Sequence, residues 1–203
     1  MSDSEPRPSP LDWGDLPGRL VVLSGASGSG KSTVVDRLLA LAPLPLQRSV
    51  SATTRLPRAG EVDGVDYFFT TREAFEADRA AHRFLESAEV HGHLYGTPKG
   101  PVRAALEAGS SVILVIDVQG GMQVRAEVRA ALLIFVAAPS PDVLEARLRG
   151  RGTDDDATIR RRLTNAEGEN ALGDRYDHRI VNDDLDQTVA TLSEILTQTR
   201  RGG

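Results

Sequence analysis

The 203 residues carry 24 basic and 29 acidic side chains, a net charge of −5, which excludes a dedicated nucleic-acid binder built on a basic excess. Hydrophobic residues at 40% and charged residues at 26% describe an ordinary globular chain of about one domain. There is no cysteine, hence no disulfide framework or thiolate metal site, and no apolar run reaches the ~18 residues of a membrane span; with no charged-then-apolar start, the expected location is the cytoplasm.

Met1 to Pro17 is rich in Pro, Ser and Asp without apolar periodicity, and is predicted to be a structureless tail. From Arg19 the pattern changes. Leu20 to Leu23 is a short apolar β-former run, and Val34, Val35, Leu38, Leu39 and Leu41 recur at helical spacing. Between them lies a glycine-rich turn, so the order is strand, loop, helix, the opening of an α/β fold. Thr70 with Glu73 predicts a capping box on a helix over Ala74 to Ala80. Thr97 followed by Pro98 predicts an N-cap and first helical position for a helix through Val102 to Ala108. Val112 to Ile116 is a fully apolar strand ending at Asp117. A helix near Val124 to Arg129, a strand from Leu132 to Ala137 and a Ser140-Pro141-capped helix through Leu148 follow. Thr153 with Asp154 to Asp156 starts a polar helix; Arg179 to Val181 is a last strand and Leu185 to Leu196 a closing helix. Residues 51–96 break this rhythm, with β-like stretches around Asp66 to Phe69 and Glu89 to Tyr95, and are predicted to be an inserted subdomain.

Gly25-Ala26-Ser27-Gly28-Ser29-Gly30-Lys31-Ser32 fits G-x-x-x-x-G-K-[ST] without a mismatch. Glycines let successive backbone N–H groups turn inward on phosphate oxygens, and the following helix adds its positive end. Lys31 is expected on the β- and γ-phosphates, and the Ser32 hydroxyl on Mg²⁺ bound with them. Lys31 is also one of only two lysines, with Lys99, against 22 arginines. A chain so biased to arginine keeps lysine where a compact ammonium is hard to replace. The pattern calls for a nucleoside triphosphate and is silent on the acceptor.

The next stretch, Ser51-Ala52-Thr53-Thr54-Arg55-Leu56-Pro57-Arg58-Ala59-Gly60-Glu61 with Gly64 and Asp66-Tyr67, closely resembles guanylate kinases. The resemblance runs from about Arg19 to the end of the closing helix. It implies a P-loop kinase: an α/β fold with a parallel β-sheet core flanked by helices, an inserted small GMP-binding β/α subdomain and a helical lid. On that pattern the domain spans 18–203, with the core in 18–50, 98–148 and 164–203, the GMP-binding part in 51–97 and the lid in 149–163. The implied reaction is phosphoryl transfer from ATP to GMP, with Mg²⁺ as cofactor and the two nucleotides as partners.

The residues fit that chemistry. Arg55 and Arg58 alone read first as a solvated basic turn, but with Pro57 and Gly60 fixing the turn and with Tyr67 and Tyr95 they supply the forked and phenolic donors a dianionic phosphate needs. In the resemblance the two arginines and two tyrosines hold the GMP phosphate. Glu86 matches a glutamate that accepts the N1–H and N2–H donors of guanine, while Ser51, Thr97 and Asp117 match positions around the purine. Asp117 is open to a second reading, since an acid at a strand end can hold Mg²⁺ through water. Val115 stands where many relatives have a further acid. Gly150-Arg151-Gly152-Thr153 followed by Arg162 matches the lid. Arg147 and Arg162 are assigned to donor phosphates, Arg151 to the adenine and phosphate side, Asn182 near the adenine, and Thr33 with the loop. Arg149, Arg160 and Arg161 read as solvated. Two rivals remain: a catalytically silent guanylate-kinase-like interaction module, against which Lys31, Ser32, Arg151 and Arg162 are all present, and a kinase for another phosphorylated acceptor.

Overall fold

Leu20–Ser24, aliphatic to its last residue, forms the middle strand β1 of a five-stranded sheet in the computed structural model, which describes residues 12–41, 45–90, 92–150, 152 and 155–198. Every residue of β1 is buried, and a strand apolar on both faces needs cover on both. Around it, in chain order, run α1 (Lys31–Leu41), β2 (Leu46–Arg48), β3 (Ala52–Thr53), β4 (Phe68–Phe69), α2 (Arg72–Ala80), β5 (Phe84–Val90), β6 (His93–Pro98), α3 (Lys99–Glu107) and β7 (Ser111–Val115). Then come α4 (Val118–Glu127), β8 (Leu132–Ala137), α5 (Pro141–Arg149), α6 (Asp156–Leu172), β9 (His178–Val181) and α7 (Leu185–Gln198).

The large sheet has the order β2-β7-β1-β8-β9, and all four pairings are parallel. Alternation along β1 splits its side chains between two cores. Leu20 and Val22 meet Val102 and Leu106 of α3 and Val124 of α4. Val21 and Leu23 meet Val34, Val35 and Leu38 of α1 and Val189 and Leu192 of α7. Loop connections after β1, β7 and β8 thus open at the same sheet end, where ligands of open parallel sheets bind. A second sheet, β4-β3-β6-β5, comes from residues 52–98 and buries Phe75 of α2 against Ala52 and Leu94.

Several local expectations are corrected. The predicted tail does not extend to Pro17: Trp13 lies in a 3-10 turn, buried against the α3 and α4 core, and Gly18 donates its N–H to Leu106 O at 2.8 Å. Residues 1–11 lie outside the described chain. The α2 cap is Thr71, whose Oγ1 accepts from Ala74 N at 3.2 Å, while Thr70 still follows the β3–β4 pairing, its N–H donating to Thr53 O at 3.0 Å. That shift puts Glu73 one place too early for a capping box. Thr97 does not cap α3 either; it lies within β6, and Pro98, the last residue of that strand, is the N-cap without a side-chain bond. Ser140 caps α5 as predicted, accepting from Val143 N at 3.2 Å. Helix α6 is capped by Asp155 and runs unbroken past residue 163, where the expected lid would end. Thr153 and Asp154 lie outside the described residues.

Candidate active site

The loop between β1 and α1 turns on glycines that no other residue replaces cheaply. Gly30 has φ +94°, and a Cβ there would sit 2.3 Å from Asn182 Nδ2; at Gly25 it would sit 2.1 Å from Val136 O. Lys31 and Ser32 open α1. The Lys31 ammonium donates to Gly25 O at 2.6 Å and to Ala26 O at 2.9 Å, and so lies along the inner wall of the loop. The fully buried Ser29 hydroxyl has no hydrogen-bond partner among the described residues.

Distant elements brace this loop. Asn182, following β9, donates its side-chain amide to Ser29 O at 2.8 Å, and its own N–H bonds Ala137 O at 2.8 Å. Arg147 of α5 donates to Asn182 O at 2.9 Å and reaches Ser29 O at 3.5 Å. Arg162 of α6 donates to Ser27 Oγ at 3.1 Å. Three of the predicted donor-side residues therefore meet on the phosphate loop. Thr33 is exposed on α1, and Arg151 lies outside the described residues. Glu169 of α6, not singled out from the sequence, also faces this region: burial pushes its carboxyl upward, nearby Lys31 opposes that, and Asp117 adds to it.

Across the cleft, Arg55 is held rather than waving in solvent. It donates to Glu61 Oε1 and to Leu56 O, each at 2.7 Å, and lies 5.4 Å from the Tyr67 ring centre. Tyr67 and Tyr95 pack edge to face with ring centres 6.0 Å apart. Arg58 is exposed and donates its backbone N–H to Glu61 Oε2 at 2.7 Å. Hydrogen bonds from Arg55 and then from the Arg58 backbone hold the Glu61 carboxyl below the usual carboxylate range. Glu61 is thus a further site residue; the signal was a carboxylate three places after the second arginine of the turn.

Glu86 sits deeper, only 7% exposed. Its Oε1 accepts from the buried Thr97 hydroxyl at 2.6 Å, which is where the expected helix cap went. The β5–β6 register slips by one residue between Phe84 and Ser87, so Leu85 and Glu86 are both buried instead of alternating. Burial pushes the Glu86 carboxyl up to about 7; the Thr97 bond pulls it down, and the Asp117 charge raises it. Asp117 itself caps α4, its Oδ1 accepting from Gly120 N at 2.7 Å. A cavity of about 390 Å³ joins the two halves, lined by Ser32 of the loop, by Ser51, Asp66 and Tyr67 of the acceptor side, and by Val115 and Arg48.

Comparison with known proteins agrees in both sequence and shape. The family model described as guanylate kinase matches residues 17–199. A guanylate kinase of Rubrobacter xylanophilus is 47% identical over 186 residues, 92% of this chain and 97% of its own. One from Thermus thermophilus is 50% identical over 184 residues, 91% of this chain and 83% of its own. The crystal structure of guanylate kinase from Anaplasma phagocytophilum superposes with a TM-score of 0.70 at 34% identity, covering 90% of this chain and 86% of that one. A match that begins before β1 and ends after α7 takes in both sheets and the cleft between them, so the chain belongs to the guanylate kinase family.

Proposed function

We propose that the chain is an ATP:GMP phosphotransferase, moving the γ-phosphoryl group of ATP to GMP, and to dGMP, with release of ADP and GDP. The observation that carries this reading is the shared cleft: Ser32 of the phosphate loop faces Ser51 and Tyr67 of the acceptor side within one cavity. Donor and acceptor phosphates held on its two walls meet in line, and phosphoryl transfer asks mainly for positioning and charge neutralisation. The acceptor phosphate is its own nucleophile, so no carboxylate base is needed.

The roles follow from placement. Lys31 and the inward backbone of residues 25–30 take the ATP phosphates, and the unpartnered Ser29 hydroxyl offers one more donor. Arg147 and Asn182 hold the loop in its binding shape, Arg162 approaches it from α6, and Arg151 keeps the adenine and phosphate role that the resemblance implies. Arg55, Arg58, Tyr67 and Tyr95 bind the GMP phosphate, Glu86 with Thr97 and Ser51 the base, and Asp117 orients the far side of that pocket. Mg²⁺ fits the donor set. Among the described residues no cluster of three His, Asp or Glu forms a cage, and Mg²⁺ favours one protein oxygen plus phosphates and water, which Ser32 beside the cleft provides. When bound, it would neutralise charge on the transferring group. No helix among the described residues is long and apolar enough to cross a membrane.

ADP release measured with GMP, dGMP, AMP and UMP side by side tests the assignment. GMP and dGMP are expected to be turned over, with AMP and UMP at least ~10²-fold poorer in kcat/KM, since a site built for guanine donors leaves buried groups unpaired with other bases. Equal use of AMP would refute the acceptor, and no ADP release with any of them would favour the interaction module. Glu61→Gln removes the ionic partner of Arg55 and is expected to raise KM for GMP by about tenfold with little change in KM for ATP. Steady-state kinetics with each substrate varied checks this; an unchanged KM for GMP would leave Glu61 without a role.

A further inference from the structure

The residue next to the guanine-reading carboxylate is gripped from outside its own sheet. β5 is the edge strand of the small sheet, and the one-residue slip between Phe84 and Ser87 disturbs its pairing with β6 at Leu85 and Glu86. A bulge re-aims a side chain at the cost of a well-fixed ladder. On the open edge, the Gln123 side-chain amide of α4 supplies the missing partner: its Oε1 accepts from Ser87 N–H at 3.0 Å and its Nε2 donates to Ser87 O at 3.2 Å. One side chain thus acts as a peptide group would in a neighbouring strand. Three residues earlier on the same helix face, Gly120 has no Cβ, and a Cβ there would lie 3.1 Å from Glu86 Oε2 and 3.5 Å from Asp117 Oδ1. Asp117, three residues earlier again, accepts the Gly120 N–H.

We infer that α4 sets the position of the guanine-reading carboxylate: Gln123 is a positioning residue that pins the bulged strand at Ser87, and Gly120 determines specificity by leaving room for Glu86 against the helix. The inference rests on Glu86 being the group that reads guanine. α4 belongs to the nucleotide-binding core, through its contacts with β1 and its cap at the end of β7, whereas β5 belongs to the small sheet. The two-point bond therefore crosses the boundary between the parts that hold ATP and GMP. On the core side, Glu127, four residues beyond Gln123, pairs with Lys99, the first residue of α3, and so fastens α4 to its own core. Base selection becomes a property of that joint as well as of the pocket.

The test compares the full-length enzyme with Q123M, G120A and E86Q, reading kcat and KM for GMP, AMP and ATP, with the melting temperature alongside. Q123M keeps length and helix propensity while deleting both bonds, and is expected to raise KM for GMP about tenfold and to erode the GMP-over-AMP ratio. KM for ATP and the melting temperature stay near wild type. G120A is expected to move KM for GMP in the same direction although alanine favours the helix, an effect a purely structural defect would not give. Wild-type KM for GMP and unchanged selectivity in Q123M overturn the inference, as does a parallel rise in KM for ATP with a lower melting temperature. If E86Q keeps full guanine preference, the reading of Glu86 itself fails and takes the inference with it; if only E86Q loses it, the carboxylate reads guanine and α4 does not govern it.

Discussion

Lys31→Ala is expected to lower the rate of ADP formation with GMP by about two to three orders of magnitude, the usual loss when one preorganised donor is taken from a developing anionic centre. The melting temperature should stay near that of the native chain, because alanine is a good first-turn helix residue and the position is half exposed. The ammonium lies 2.6 and 2.9 Å from two carbonyls of the loop, so it is already inside the curl that a triphosphate would enter. Lys31→Arg is expected not to rescue. A planar fork cannot occupy the place of a compact point charge between Gly25 O and Ala26 O, and the chain uses arginine at 22 of its 24 basic positions yet not here. A coupled ADP assay decides; Lys31→Ala retaining more than a tenth of the native rate would remove the loop from the chemistry.

Glu86→Gln is expected to cut kcat/KM for GMP by about two to three orders of magnitude and to narrow its lead over AMP, because an amide accepts only one of guanine's two parallel donors and opposes the other. Acidity sharpens the expectation. The carboxyl titrates at about 7, raised first by burial, and only the ionised form accepts both N–H groups. GMP binding must therefore expel a proton below that pH, and kcat/KM for GMP should fall as pH drops through 7. The free GMP phosphate titrates nearby, but that limb belongs to the substrate and persists in the variant. The Glu86→Gln profile should thus lose the enzyme's own limb, and an identical acid limb in both proteins would sink the assignment. Stability runs the other way. A carboxyl at 4.5 unfolded and about 7 folded binds more protons when folded, so its contribution is greatest below 4.5 and is lost as pH rises through 7, by roughly 3 kcal/mol. Glu86→Gln should accordingly be the more heat-stable protein above neutral pH.

The elements that the sequence made legible were those with one dominant signal. β1, β7 and β8 are continuous apolar runs, and the phosphate loop is a fixed pattern between a strand and a helix; each sits where it was predicted, within a residue or two. Residues 51–96 were harder. β5 begins at Phe84, but its Leu85-Glu86 pair breaks alternation through the bulge, and only the later half reads as a strand. β2 is three residues of largely exposed edge with no pattern to see. Thr70 and Thr97 carried the right letters for caps, yet Thr97 Oγ1 donates to Glu86 from within β6, and Thr70 still follows the strand pairing with Thr53 while its neighbour Thr71 takes the cap. In the site, the groups that would touch phosphate or base were visible as motif residues. Of those that hold them, Glu61 lies three places after Arg58 and left a local signal, whereas Gln123 reaches Ser87 across 36 positions, a distance that local spacing does not encode.

The bond from Asn182 to Ser29 spans 153 positions of the chain. During synthesis the glycine turn emerges early, but its brace is made only after the last strand has left the ribosome and docked beside β8. A nascent or truncated polypeptide ending before that point has the motif without its support. ATP handling is thereby tied to completion of the polypeptide, and any fragment short of β9 is expected to be a poor consumer of cellular nucleotide.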